Sequence, residues 1–226
     1  MQKNFMRGTF LITASIVASI ATLLPAASAA VVSVDSVTVG SASGAAGTTV
    51  NIPIYIRDMS GTPLGIDQPA GSRIQSYSLK INYAPTAPVQ SASITRGGIT
   101  TSLTPTFEST PSGAGTVSLL DTFQESSNLI PFTSNAAAPG NQVAILHLTL
   151  APTATVGSVI TLTIDPTLTQ LTDQAGSGAT KESVAGGNLT LINGAVTVTG
   201  DIPALSTWAL ILLAVSLAVV GVRMRT

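Results

Sequence analysis

His147 is the only histidine in the chain, and cysteine is absent. One imidazole cannot build a histidine-rich metal site, and without thiols there is no thiolate site. A Ser-His-Asp relay is arithmetically available among the many serines, but no Gly-x-Ser-x-Gly elbow presents one of them as a nucleophile. Alternation along Val143 to Leu150 puts His147 opposite Ala144, Leu146, Leu148 and Leu150, where a lone imidazole reads as a packed or solvated residue. Asp165 and Asp173 could offer oxygens to calcium, yet their spacing matches no calcium loop, and solvated loop carboxylates are the plainer reading. Glu108, Asp121 and Glu125 could pair across strands, on spacing alone. Asn188-Leu189-Thr190 fits the glycosylation triplet, a short and unspecific match. The chain reads as a non-enzyme without cofactor or metal.

Binding is the chemistry left. Sugar recognition by a β-protein needs exposed flat aromatics, and these are scarce. Trp208, the sole Trp, lies in the C-terminal tail; Tyr77 and Tyr83 fall on an apolar face; Tyr55 alone is expected outward. The stretch Ser76 to Tyr83 offers a different surface. One face reads Tyr77, Leu79, Ile81, Tyr83; the other reads Ser76, Ser78, Lys80, Asn82. The polar set Ser76, Ser78, Lys80 and Asn82 is the candidate binding face, suited to a flat protein contact. A solvated sheet face remains the alternative. Nucleic acid is excluded as a partner by charge. Of the nine basic residues, Lys3, Arg7, Arg223 and Arg225 lie at the ends, so all ten acids face only Arg57, Arg73, Lys80, Arg96 and Lys181.

The elements that position this face are short strands. Val32, Val34, Val37 and Val39 form a first β segment, followed by a small-residue turn over Gly40 to Gly47. Thr49 to Arg57 alternates cleanly, with Val50, Ile52, Ile54 and Ile56 inward, and Pro53 marks an edge position or a bulge. Ser60 to Ser72, rich in Gly and Pro, is a loop. Pro85 stops the organising strand. Further strands are expected over Val89–Thr95, weakly over Thr100–Phe107, and over Thr116–Phe123, Val143–Leu150 and Val159–Ile164. Asp173 to Gly187 reads as loop. Leu189–Ile192 and Ala195–Thr199 flank Asn193-Gly194, a hairpin signal. Eight to ten strands with no soluble helix predict an all-β, two-sheet antiparallel sandwich.

Both ends read as targeting segments. Lys3 and Arg7 precede the apolar run Phe10–Leu24, and Ala27-Ser28-Ala29 fits small-x-small cleavage, so residues 1–29 read as a secretory signal peptide cleaved after Ala29. Leu205 to Val222 is apolar enough for a transmembrane helix, with Trp208 at one interface and Arg223 and Arg225 at the cytoplasmic end. The domain between them, 30–200, is long enough to bury a core without disulfides.

The ordered set of segments resembles the cohesin family. Gly47-Thr48-Thr49-Val50-Asn51-Ile52-Pro53-Ile54 is similar to the cohesin opening, and Tyr77 to Pro85 to the strand ending in Tyr-Asp-Pro. Val143–Leu150, Gly157 and Val159–Ile164 resemble the late strand pair, and Asn193–Val198 the closing strand. The resemblance implies a jelly-roll sandwich of about nine strands. It also implies a non-catalytic module that binds a dockerin-bearing protein in polysaccharide-degrading assemblies, with polysaccharide as a further partner class. Ser76 and Ser78 stand where dockerin-binding cohesins commonly carry Asn and Asp, and Ala84 where they carry Asp. The tail Ile202-Pro203-Ala204-Leu205, with Trp208, the apolar run, Arg223 and Arg225, resembles the Ile-Pro-Thr-Leu type of C-terminal sorting signal. That resemblance implies recognition by an exosortase-like membrane protease of a Gram-negative bacterium. The product would be presented at the cell envelope or surface, transiently or permanently membrane-anchored. The alternative is a structural surface or extracellular-matrix spacer.

Overall fold

Strand β4 (Ser76–Ala84) buries Tyr77, Leu79, Ile81 and Tyr83, as its alternation requires. The computed structural model describes residues 33–174 and 180–200. The signal-peptide reading (1–29, with Ala27 and Ala29), the transmembrane helix, and the tail residues Ile202, Pro203, Ala204, Leu205, Trp208, Arg223 and Arg225 lie outside them. Among the described residues no helix is long and apolar enough to cross a membrane.

Two sheets enclose the core. β4 lies inside the larger one, paired antiparallel with β8 (Thr116–Thr122) from Ser76 to Asn82. Its other edge is shared by β11 (Gln170–Thr172) and β10 (Val159–Ile164). This nine-stranded sheet runs from β12 (Lys181–Ser183) through β11, β4 and β10 to β14 (Gly194–Thr199) and β2 (Ala42–Ala45). β6 (Phe107–Ser109) and β7 (Ser112–Gly113) pair with β8. The five-stranded sheet orders β13 (Leu189–Ile192), β1 (Asp35–Val39), β3 (Thr49–Arg57), β9 (Asn141–Leu150) and β5 (Val89–Arg96). Ile52, Ile54 and Ile56 of β3 and Leu146, Leu148 and Leu150 of β9 share one core cluster with Leu79, Ile81, Leu119 and Leu162 of the other sheet. Burial of these branched side chains is the main stabilising term. Ile52→Val, which removes one methylene from a fully buried site, is expected to cost about 1 kcal/mol in a denaturant melt.

The alternating strands are where the sequence places them, and the departures have physical causes. The described residues hold fourteen strands, more than the nine or so expected, because short pieces with weak patterns find ladder partners. The Gly40–Gly47 turn contains β2, and the Asp173–Gly187 loop contains β12. Thr100 to Phe107 is not a strand: a 3-10 turn (Gly98–Thr100) and a loop precede β6, which starts at Phe107. The sandwich is not purely antiparallel, since β1 pairs parallel with β13 and β14 with β2.

Asn193-Gly194 does not close a hairpin. β13 joins the smaller sheet and β14 the larger, so the chain crosses between sheets there. Asn193 Oδ1 accepts from the Ile164 N–H at 2.9 Å, and a Cβ at Gly194 would meet Gly40 O at 2.0 Å. The dipeptide serves a close backbone approach rather than a two-residue turn. Pro53 is not on an edge strand. The β1 ladder covers only Ile54 to Arg57 of β3, so Pro53 lies just beyond it, and its carbonyl accepts from Gly40 N–H. The register irregularity follows at Ile54/Tyr55, on the β9 side.

Candidate functional site

The polar face of β4 is the floor of the site, and its neighbours have engaged much of it. Ser76 is buried; its hydroxyl donates to Asp121 O at 2.8 Å and lies 2.9 Å from Thr122 Oγ1. Ser78 Oγ donates to Leu168 O at 2.7 Å. Lys80 Nζ is 3.3 Å from Asp165 Oδ2, both partly shielded. Asn82 is half-buried, with Thr116 and Thr163 as its ladder partners.

Around Ser76 and Ser78 the surface is a groove of about 460 Å³. Its floor adds Thr122 of β8 and Gln170 and Thr172 of β11; its apolar walls are Phe107, Leu120 and Leu168. Phe107 and Leu168 are 54% and 50% exposed, the large apolar groups a partner would cover. The wall at Leu168 is built by Asp165. Its Oδ1 accepts from Thr167 N, Thr167 Oγ1 and Leu168 N, an Asx turn that closes the 165–168 corner. These Thr167 hydrogen bonds, then those from Lys80 and Leu168, hold the Asp165 carboxyl down at about 2.

Directly beneath the groove lies a polar core. Asp121 sits on the inward face of β8 between Leu119 and Phe123 and is 1% exposed. Tyr77 O–H donates to Asp121 Oδ2 at 2.8 Å, while Asp121 Oδ1 has no partner. Burial pushes Asp121 up to about 6 and Tyr77 well above its usual range. Arg96 faces the pair: it contacts Glu108 and donates to Thr100 O and Leu103 O. Of the acids named from spacing, Glu108 and Asp121 do stand opposite each other on β6 and β8, and each of the three has its own partner. Glu108 pairs with Arg96, Asp121 with Tyr77, and Glu125 with Arg73 at 3.3 Å.

The other candidates are placed as follows. His147 stands on the outer face of β9; Nδ1 is 2.7 Å from Asn51 Oδ1 and Nε2 is 2.9 Å from Thr95 Oγ1. Asn51 Oδ1 can only accept, so Nδ1 donates to it. Asn188 is tied to its own turn, accepting from Ser183 N and donating to Lys181 O. No group of three or more His, Cys, Asp or Glu able to hold a metal ion occurs among the described residues. Sequence reasoning missed the groove walls. Adjacent Leu119 and Leu120 were the available signal, because alternation must turn one of two neighbouring leucines outward.

Comparison with known proteins matches both parts of the chain. The IPTL-CTERM motif matches residues 202–226. The third cohesin of ScaC from Acetivibrio cellulolyticus, solved with the ScaB dockerin, superposes with a TM-score of 0.53 at 19% identity over 74% of this chain and 99% of that one. The OlpC cohesin of Clostridium thermocellum, solved with Doc435, gives 0.51 at 17% identity, covering 74% and 95%. CaCohA2, a protein of Clostridium acetobutylicum solved with CaDoc0917, gives 0.50 at 21% identity, covering 73% and 99%. No curated protein matches the chain. The molecule is a cohesin-like β-sandwich protein with a C-terminal sorting signal of the IPTL-CTERM type.

Proposed function

We propose that this protein is an exported, non-catalytic binding module that captures a dockerin-like protein on the outer face of β4. The residues assigned to the contact are Ser76, Ser78, Lys80 and Asn82, extended by the groove walls Phe107 and Leu168. The observation that carries this reading is the groove itself: hydroxyls and amides on the floor, two half-exposed apolar side chains at the rim, no cluster of reactive groups within it. Such a surface offers area and hydrogen bonds rather than chemistry. Residues 1–29 serve as signal peptide, 30–200 as the sandwich, and 201–226 as the sorting segment with its transmembrane helix. An exosortase-like protease acts on that segment, and the module is presented at the envelope of a Gram-negative cell.

A second reading is favoured by one finding. Ser76, Ser78 and Lys80 already have internal partners, which suits a spacer whose sheet face only needs to be satisfied. Capture distinguishes the two. The full-length chain, immobilised and exposed to the organism's own secreted and envelope fractions with calcium and then with chelator, is expected to retain one dockerin-bearing protein in the calcium arm. Retention of glycan alone would make it a carbohydrate-binding module. Retention of nothing from intact fractions would leave the spacer.

A further inference from the structure

Four carboxylates cap one loop. Asp35 Oδ1 accepts from Met59 N–H at 2.8 Å, Asp67 Oδ2 from Gly61 N–H at 3.2 Å, Glu182 Oε1 from Leu64 N–H at 2.9 Å, and Asp58 Oδ2 from Ile66 N–H at 2.8 Å. Backbone N–H groups leaving a sheet need such acceptors. The Thr62 hydroxyl lies within donating distance of Met59 O and Leu64 O and gives its one proton to either. Asp35, Asp58 and Glu182 are fully buried. Each has a second oxygen, Asp35 Oδ2, Asp58 Oδ1 and Glu182 Oε2, without a hydrogen-bond donor.

Among the described residues no basic side chain forms an ion pair with them. Arg57, from β3, donates through Nε to Ala136 O; Arg73 pairs with Glu125; Lys181, beside Glu182 on β12, is exposed. β13, the neighbour of β1, carries only Leu, Thr and Ile. The groups facing Asp35 are therefore Glu182 from β12 and Asp58 from the end of β3, with Asp67 beyond it against Gly65. Two ionised carboxylates cannot face each other in so dry a site. One proton between them turns an orphan oxygen into a donor and satisfies both at once.

We propose that Asp35 and Glu182 share a single proton, and that this acid–carboxylate pair is a latch joining the two sheets at the β12 side of the sandwich. Asp35 belongs to β1 of the five-stranded sheet and Glu182 to β12 of the nine-stranded one. Burial first, then the hydrogen bond and charge of Glu182, push Asp35 up to about 9, and burial raises Glu182 as well. β12 in turn covers β11, with Lys181 opposite Thr172 and Ser183 opposite Gln170, the two residues on the groove floor. Loss of the shared proton leaves like charges buried together, and opening releases β12 and the capped loop. The latch does not depend on what the groove binds.

The test is amide hydrogen exchange of the full-length chain at pH 7 and pH 9.5, corrected for the intrinsic pH dependence of exchange. Residues 59–66 and 181–183 are expected to lose at least tenfold in protection at the higher pH, while the β3–β9 ladder keeps its own. Asp35→Asn supplies an amide donor to Glu182 that cannot be lost, so that variant keeps its protection at both pH values. If it does not fold, Glu182→Gln gives the same readout from the other side. Equal loss in wild type and variant, or no loss in wild type, overturns the latch. So does a calcium-induced rise in protection at pH 7 that chelator reverses, which would make the pocket a cation site.

Discussion

Raising the pH from 4 to 6 is expected to weaken the fold by about 2 kcal/mol through Asp121, and Asp121→Asn is expected to remove that part of the loss. Asp121 is held at about 6 in the folded state, above its usual 3.8, by burial between Leu119 and Phe123. The folded chain therefore retains this proton over a window in which the unfolded chain has released it. Stability from a raised carboxylate is greatest below about 4, falls as pH rises, and levels off once the folded group has ionised. Tyr77 O–H already donates to Oδ2, so the proton belongs on Oδ1, the oxygen with no other partner. Denaturant melts of wild type and Asp121→Asn between pH 4 and 7 provide the check. A wild-type curve that rises over this range, or a variant curve parallel to it, defeats the assignment. The Asp35–Glu182 pair extends the decline toward pH 9, and that later part should survive in Asp121→Asn.

The sequence makes the regular part of this molecule legible because alternation needs only local information. In β3, β4, β9 and β10 every second side chain is apolar, and those side chains are buried as expected. Pairing is another matter. Asn193-Gly194 has the chemistry of a type I′ turn, but Leu189 and Leu191 are claimed by β1 while Val196 and Val198 are claimed by β10 and β2. Long-range burial overrides the local turn preference. The inward carboxylates were hidden for a related reason. Asp35 and Asp121 stand at core-facing positions of strands whose other inward residues are apolar, Glu182 lies in the short Lys-Glu-Ser strand β12, and the tertiary partners Met59, Tyr77 and Leu64 help to make them tolerable. The site divides the same way. The β4 part of its floor, Ser76 and Ser78, follows from period two; its walls at Phe107, which opens the short strand β6, and at the Asp165 turn are distant in sequence and without pattern.

Filling the groove is expected to abolish partner capture while leaving the fold in place. Ser78→Arg projects a long side chain from the floor, and Leu168→Asp replaces half of the apolar rim with charge. Both sites border open space of about 460 Å³, so neither substitution must displace the core. Ser78→Arg forfeits one hydroxyl bond to Leu168 O, a loss of about 1 kcal/mol. Ser78→Ala forfeits the same bond without filling the groove, which separates the two effects. Central contacts in protein interfaces commonly carry 2 kcal/mol or more, so binding by the blocked variants should weaken at least about thirtyfold. Ser78→Ala should stay within about fivefold of wild type. Lys80→Glu, which replaces the ammonium 3.3 Å from Asp165 with a like charge, should loosen the Leu168 turn and fall between them. Undiminished capture by Ser78→Arg and Leu168→Asp, with unchanged melting, would move the contact off β4. The outer face of β9 around His147, Asn51 and Thr95 would then be the next surface to vary, because it presents another hydrogen-bonded array of polar side chains.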